Sequence, residues 1–216
     1  MEAADVSTPA GGGSPRGAGY RRSAGSPRGE ARRRELLDRV TADLAVNGLV
    51  DFSLRRAARA AGTTHKVLLY HFDGADDLLR QAILQLRERR IANEFGAATR
   101  APGARTLAAR VRAAWPVLLG EAPGRRVLDQ ALGLAMYDPE RYAELGRDAS
   151  RQYLHALLAI CPEGWSDQRK LEVAEMILAT SRGLLADLRT SDDTARAGAG
   201  FEALARALER EEAAGE

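Results

Sequence analysis

Residues 53–72 read SLRRAARAAGTTHKVLLYHF, and this stretch decides the fold. Ser53 is a good N-cap for a short helix over Leu54–Ala61, Gly62 breaks that helix, and Thr63 or Thr64 can cap a second one running to about His71. Two short helices around a tight glycine turn form the pattern of a helix-turn-helix. Ala57 and Ala58 are small enough to let the two helices cross closely, which leaves Leu54, Leu68 and Phe72 to build a miniature core. Thr64, His65, Lys66, Val67 and Tyr70 then fall on the early, outward part of the second helix, the part that a recognition helix pushes into a major groove.

The flanks support this reading. Upstream, Leu36, Leu37, Val40 and Leu44 recur at helical spacing from about Ala31, and Asn47-Gly48 closes that helix. Downstream, Asp73 is placed to cap a longer helix, Asp76 follows three residues later as in a capping box, and Leu78, Leu79, Ile83 and Leu86 give an apolar face. Residues 1–30 are rich in Gly, Ser, Pro, Ala and Arg, and too poor in aliphatic side chains to offset the entropy of ordering. They are expected to form a disordered arm. From Arg16 to Arg34 the chain sets Arg16, Arg21, Arg22, Arg28, Arg32, Arg33 and Arg34 against Glu30 alone, a charge suited either to phosphate contact or to a solubilising tail.

Beyond residue 100, the breakers Pro102-Gly103, Pro123-Gly124, Asp138-Pro139, Pro162-Glu163-Gly164 and Ser191-Asp192-Asp193 divide the chain into five more helical segments, and nothing reads as a strand. The fold class is therefore all-α with about nine helices: a helix-turn-helix domain at 31–76 and a helical domain at 77–216. Segment 166–189 places Leu171, Ala174, Leu178, Ser181, Leu185 and Leu188 three or four residues apart, with Val173, Ile177 and Leu184 widening the stripe. With Phe201, Leu204, Ala205 and Leu208 in segment 194–210, it is expected to pair with a second copy about a two-fold axis. Replacing Leu178 and Leu185 with Glu is expected to give monomers.

Composition narrows the function. Residues 1–100 carry 17 basic against 12 acidic side chains and residues 101–216 carry 15 against 18, so the N-terminal half is the place to look for a polyanion partner. One cysteine, Cys161, cannot make an intrachain disulfide, and no apolar run approaches the roughly 18 residues that a membrane span needs, so a cytoplasmic protein with no membrane association is expected. An enzyme is not expected. Two of the three histidines lie within 53–72, His155 and Cys161 form an unsupported pair, and there is no nucleophile elbow, phosphate loop or metal-spaced cluster. No catalytic residue, metal or cofactor is assigned.

The block Ala61-Gly62-Thr63-Thr64-His65-Lys66-Val67-Leu68-Leu69-Tyr70-His71-Phe72, with the helices flanking it, resembles the DNA-binding region of TetR-family transcriptional regulators over residues 31–90. The resemblance implies a nine-helix homodimer that binds double-stranded operator DNA, with a ligand pocket in the middle helices and the last two helices at the dimer interface. The implied function is a sequence-specific regulator, by the family's habit a repressor released from a palindromic operator by a small-molecule effector. The alternative is a ligand-binding or interaction module whose DNA grip has weakened. Two departures motivate that alternative: Leu69 stands where the family usually has a phosphate-touching Tyr, and Ala75 where it often has Lys.

Thr64, His65 and Lys66 are the residues expected to face the groove, His65 and Lys66 as donors to guanine acceptors. Val67 accompanies them; Ser53, Arg55, Tyr70 and His71 are phosphate or positioning candidates, and Tyr70 and His71 could equally pack the third helix on the first. For the effector pocket, Arg112, Trp115, Met136, Tyr137, Tyr153, His155 and Met176 are the candidates, each open to the plainer reading of a core or surface residue.

Overall fold

The computed structural model describes residues 26–100, 103–120 and 124–214, and among these it contains nine helices and no strand. They are α1 (Pro27–Asn47), α2 (Leu54–Ala60), α3 (His65–His71), α4 (Ala75–Arg100), α5 (Leu107–Leu119), α6 (Arg125–Tyr137), α7 (Pro139–Ile160), α8 (Asp167–Ser191) and α9 (Thr194–Ala213). The breakers beyond residue 100 coincide with helix ends: Pro139 opens α7 behind its cap Asp138, Ser191 closes α8, and Pro162-Glu163-Gly164 lies between α7 and α8. No helix among the described residues is long and apolar enough to cross a membrane.

The first helix starts earlier than its composition suggests. Ser26 caps it by accepting a hydrogen bond from the Gly29 N–H at 3.1 Å, and Pro27 follows at the first helical position, where a missing N–H costs nothing. The expected arm at 1–30 is corrected accordingly: residues 26–30 belong to α1, and the rest of the arm lies outside the described residues. Arg33 anchors this added turn by donating to the His71 carbonyl at 3.1 Å and to Gln81 Oε1, with its guanidinium 4.9 Å from the centre of the Phe72 ring. The entrance of α4 also differs. Gly74 occupies the cap position, its carbonyl receiving the Leu78 N–H, and it is the Asp77 carboxylate that reaches back to the Asp73 N–H at 3.0 Å. Asp76 instead pairs with Arg141 on α7 at 2.7 Å.

Two apolar cores result. The first gathers Leu36, Val40 and Leu44 of α1, Ala57 and Ala58 of α2, Leu68 of α3, and Leu78, Leu79 and Ile83 of α4, and is closed by Val127 and Ala131 of α6 and Leu145 of α7. Two hydrogen bonds reinforce that closure: Gln130 Oε1 accepts the Leu49 N–H at 3.0 Å, and the Gly124 N–H donates to the Ala45 carbonyl at 3.3 Å. The second core centres on Trp115 of α5 stacked against Phe201 of α9, ring centres 4.2 Å apart and planes 8° from parallel, surrounded by Leu157, Ile177, Leu178, Leu204 and Leu208.

This second core corrects the expectation about the last two helices. Leu178, Leu185, Phe201, Leu204, Ala205 and Leu208 are all buried within a single chain. Glu at 178 and 185 would therefore disrupt folding before it could report on assembly. What α8 and α9 expose is a mixed surface, in which Leu171, Ala179 and Gly183 on α8 and Ala195, Ala199 and Ala203 on α9 are interleaved with Glu172, Glu175, Arg206 and Arg210. Cys161 is buried, and burial pushes its thiol pKa up, away from reactivity.

Because the Trp115–Phe201 stack holds α9 to α5, Phe201→Ala is expected to destabilise the fold by about 3–5 kcal/mol. Urea denaturation followed by tryptophan fluorescence checks this, and an unchanged midpoint would remove the stack from the account of the core.

Candidate nucleic-acid interface and ligand cavity

The turn between α2 and α3 has two requirements that only glycine meets well. Gly62 has φ +62°, and a Cβ there would come within 3.2 Å of the Arg39 guanidinium, which donates to the Ala61 carbonyl at 3.0 Å and so ties α1 to the turn. Ala57, Ala58 and Ala61 are buried at the crossing, so α3 lies close on α2. Ser53 Oγ caps α2 by accepting the Arg56 N–H at 3.2 Å, and Thr64 Oγ1 caps α3 by accepting the Val67 N–H at 3.4 Å.

With Leu68 and Phe72 turned into the core, Thr64, His65, Lys66 and Leu69 are left exposed on α3. Val67 is half-buried against the core. Arg55 and Arg59, one turn apart on α2, are exposed, and the reading of the sequence passed over Arg59 although its spacing from Arg55 placed it on the same side. Arg56 is withdrawn: it pairs with Asp43 at 2.8 Å and donates to the carbonyls of Val50 and Gly48, fixing the loop that delivers α2.

Tyr70 and His71 form an edge-on aromatic pair, ring centres 4.9 Å apart, and both are half-buried. His71 Nδ1 is buried with no hydrogen-bond partner among the described residues, while the His71 backbone carbonyl receives Arg33. Burial first, then the charges of Arg32 and Arg33, push the imidazole pKa below its ordinary 6.5. The side chain is therefore neutral at neutral pH, and the hydrogen bond to α1 is made by the His71 backbone carbonyl and not by the imidazole.

A cavity of about 390 Å³ lies among α4, α5, α6, α7 and α8. Its apolar wall includes Val111, Leu118, Leu128, Leu132, Ile177 and Leu178, and its charged groups come from α4 (Arg87, Arg90, Glu94), α5 (Arg110), α6 (Asp129) and α8 (Arg182, Arg189). Arg90 pairs with Glu94 and Arg189 with Asp129. Burial pushes the Glu94 and Asp129 carboxyls up against the pull of these arginines, and burial followed by the Glu94 charge pushes the Tyr153 phenol up to about 12, so it stays protonated.

Of the seven pocket candidates read from sequence, Met136 and Tyr153 line this cavity. Arg112 points outward to Glu209 at 2.5 Å and Glu202 at 3.3 Å, Trp115 is core, Met176 packs against the second core, His155 is exposed, and Tyr137 is 89% exposed. The charged lining was missed, yet it left a signal. Ile83, Arg87, Arg90 and Glu94 follow one another at spacings of four, three and four, so the charges continue the buried stripe of α4 instead of its solvent face.

No family model and no curated protein matches the chain. Solved structures do. A TetR-family regulator from Cytophaga hutchinsonii superposes with TM-score 0.65 at 15% identity, covering 85% of this chain and 96% of that one. SCO4454, a TetR-family regulator from Streptomyces coelicolor, gives TM-score 0.59 at 20% identity over 89% and 96%. This chain has the TetR-family fold. The multidrug binding protein EbrR, solved with proflavin, shares that fold with TM-score 0.61 at 21% identity over 81% of this chain and 98% of its own. Seen on the TetR fold, α1–α3 carry the exposed row on α3, and α4–α8 enclose the cavity.

A depressed histidine pKa fixes the sign of one pH effect. Below 6.5 the unfolded chain takes up a proton at His71 before the folded chain does, so this group's contribution is fully present above 6.5 and is lost as pH falls through the lowered folded value. Melting curves between about pH 7 and pH 5 should show a steeper acid decline for the wild type than for His71→Leu. Parallel declines would mean that His71 does not titrate differently in the folded state.

Proposed function

We propose that the protein is a homodimeric, sequence-specific DNA-binding transcriptional regulator acting in the cytoplasm, a repressor released from a palindromic operator when a small molecule enters the cavity. The observation that carries the reading is the exposed row Thr64, His65, Lys66 and Leu69 on a capped α3, standing clear of a core that accounts for the rest of that helix. A helix so placed has the shape to enter a major groove, where His65 and Lys66 donate to guanine N7 and O6 and Leu69 packs on a thymine methyl. Arg55 and Arg59 extend the exposed surface with positive charge for phosphates. That EbrR, which shares this fold, is a multidrug binding protein solved with proflavin supports a ligand-binding role for this protein. A module with a weakened DNA grip is the second reading, favoured by apolar Leu69 and by Ala75 at the start of α4.

Selection of sites from random duplex DNA by the purified protein tests the proposal. A recovered palindrome is the expected result; no enrichment at low salt would favour the second reading. On the recovered operator, Lys66→Ala is expected to weaken binding by about 1–3 kcal/mol in fluorescence anisotropy without altering thermal stability, because Lys66 is exposed. Affinity equal to wild type would remove Lys66 from base reading.

The dimer is proposed through the outward face of α8 and α9, whose small side chains allow two copies of the pair to pack closely as a four-helix bundle. Ala179→Arg combined with Ala199→Arg should yield monomers by size exclusion with light scattering. A surviving dimer would place the interface elsewhere.

A further inference from the structure

The charges around the cavity do not cancel. Arg90 and Glu94 neutralise each other, as do Arg189 and Asp129. Arg87, Arg110 and Arg182 remain; Arg110 donates to the backbone carbonyls of Ile160 at 2.9 Å and Ala104 at 3.4 Å, which leaves Arg87 and Arg182 as the pair beside Tyr153. Arg87 is 2% exposed, and its hydrogen-bond acceptors are neutral: Gln152 Oε1 at 3.0 Å and the Leu145 carbonyl at 3.4 Å. Arg182 donates to Ser150 Oγ at 3.1 Å and lies 5.8 Å from the centre of the Tyr153 ring. Neither has a carboxylate within ion-pair distance among the described residues. The acid whose field reaches Arg87, Asp148, is already held by Arg80 at 2.7 Å and Arg151 at 3.3 Å. Glu175, whose field reaches Arg182, stands exposed on α8.

A guanidinium cannot escape a poor environment by losing its proton. Burial disfavours the charge on both arginines, and the Arg182 charge adds to the penalty on Arg87. Two unneutralised cations on one cavity wall beside the protonated Tyr153 hydroxyl form a site with its own requirement: an anion offering two acceptor oxygens to forked N–H donors. The remaining wall, with Val111, Leu118, Leu132 and Ile177, asks for an apolar body.

We propose that the cavity binds an apolar organic carboxylate, its anionic end facing Arg87 and Arg182 beside Tyr153 and its body lying against α5, α6 and α8. This rests on the reading of the cavity as the effector site, and it names the chemical class of that effector. Uncharged and cationic compounds of the same body are discriminated against, because they leave both guanidinium groups unmatched in a desolvated pocket.

The full-length protein is titrated by calorimetry with three probes that share one ring system: 1-naphthoate, 1-naphthalenemethanol and 1-naphthylmethylammonium. The carboxylate is expected to bind at least about tenfold more tightly than the alcohol or the ammonium compound. Arg182→Gln, with folding confirmed by circular dichroism, is expected to erase that preference by weakening the carboxylate; Arg87→Gln provides a second variant. Equal binding of the three probes, no binding of the carboxylate, or an undiminished preference in a folded Arg182→Gln protein each overturns the inference. Binding of recovered operator DNA is measured on the same sample without probe. A protein that grips operator but ignores naphthoate loses only the ligand assignment, whereas one that binds naphthoate but enriches no DNA sequence loses the regulatory reading.

Discussion

The structure depends on one helix doing two incompatible-looking tasks. The first half of α4 buries Leu78, Leu79, Ala82, Ile83 and Leu86 in the core that supports α1–α3, and its second half carries Arg87, Arg90 and Glu94 to the cavity. A helix is stiff along its axis because every turn is locked by backbone hydrogen bonds. The core beneath α3 and the cavity wall are therefore joined by a single rod, steadied by the ion pairs Arg80–Asp148 and Asp76–Arg141 to α7. Any ligand that prefers one tilt of that rod biases the orientation of α3 by the same free energy difference.

Much of this architecture was legible because it is written in local signals. The caps Ser53, Thr64 and Asp138, the glycine at 62 and the breaker pairs beyond 100 act over three or four residues, which a single sequence displays directly. The start of α1 was missed for the opposite reason. Residues 26–34 carry no apolar side chain larger than those of Pro27 and Ala31, and that turn of helix is held by Arg33 reaching residues 71 and 81, a contact invisible at that range. Among the candidate residues for DNA, the exposure of Thr64, His65 and Lys66 followed from periodicity, but the half-burial of Val67 and Tyr70, the exposure of Leu69 and the division of labour among Arg55, Arg56 and Arg59 did not. Three arginines in five residues look alike until Asp43 claims the middle one.

The cavity was the least readable part. Charged residues in a sequence are ordinarily solvated, and aromatic ones ordinarily suggest pockets; here Trp115 went to the core, Tyr137 to solvent, and arginines to the interior. Periodicity says that a face is buried without saying against what. The same ambiguity governed α8 and α9, whose wide apolar stripes are consumed by α5 and α7 within the chain, leaving small residues and charged ones outside.

The clasp between α6 and the end of α1 carries a further meaning. Gln130 holds the Leu49 amide, Gly124 holds the Ala45 carbonyl, and Val127 and Ala131 roof the first core. The first three helices are thus not a detachable reading head. Grafted onto another protein, residues 26–76 would carry an open hydrophobic roof and an unlatched corner.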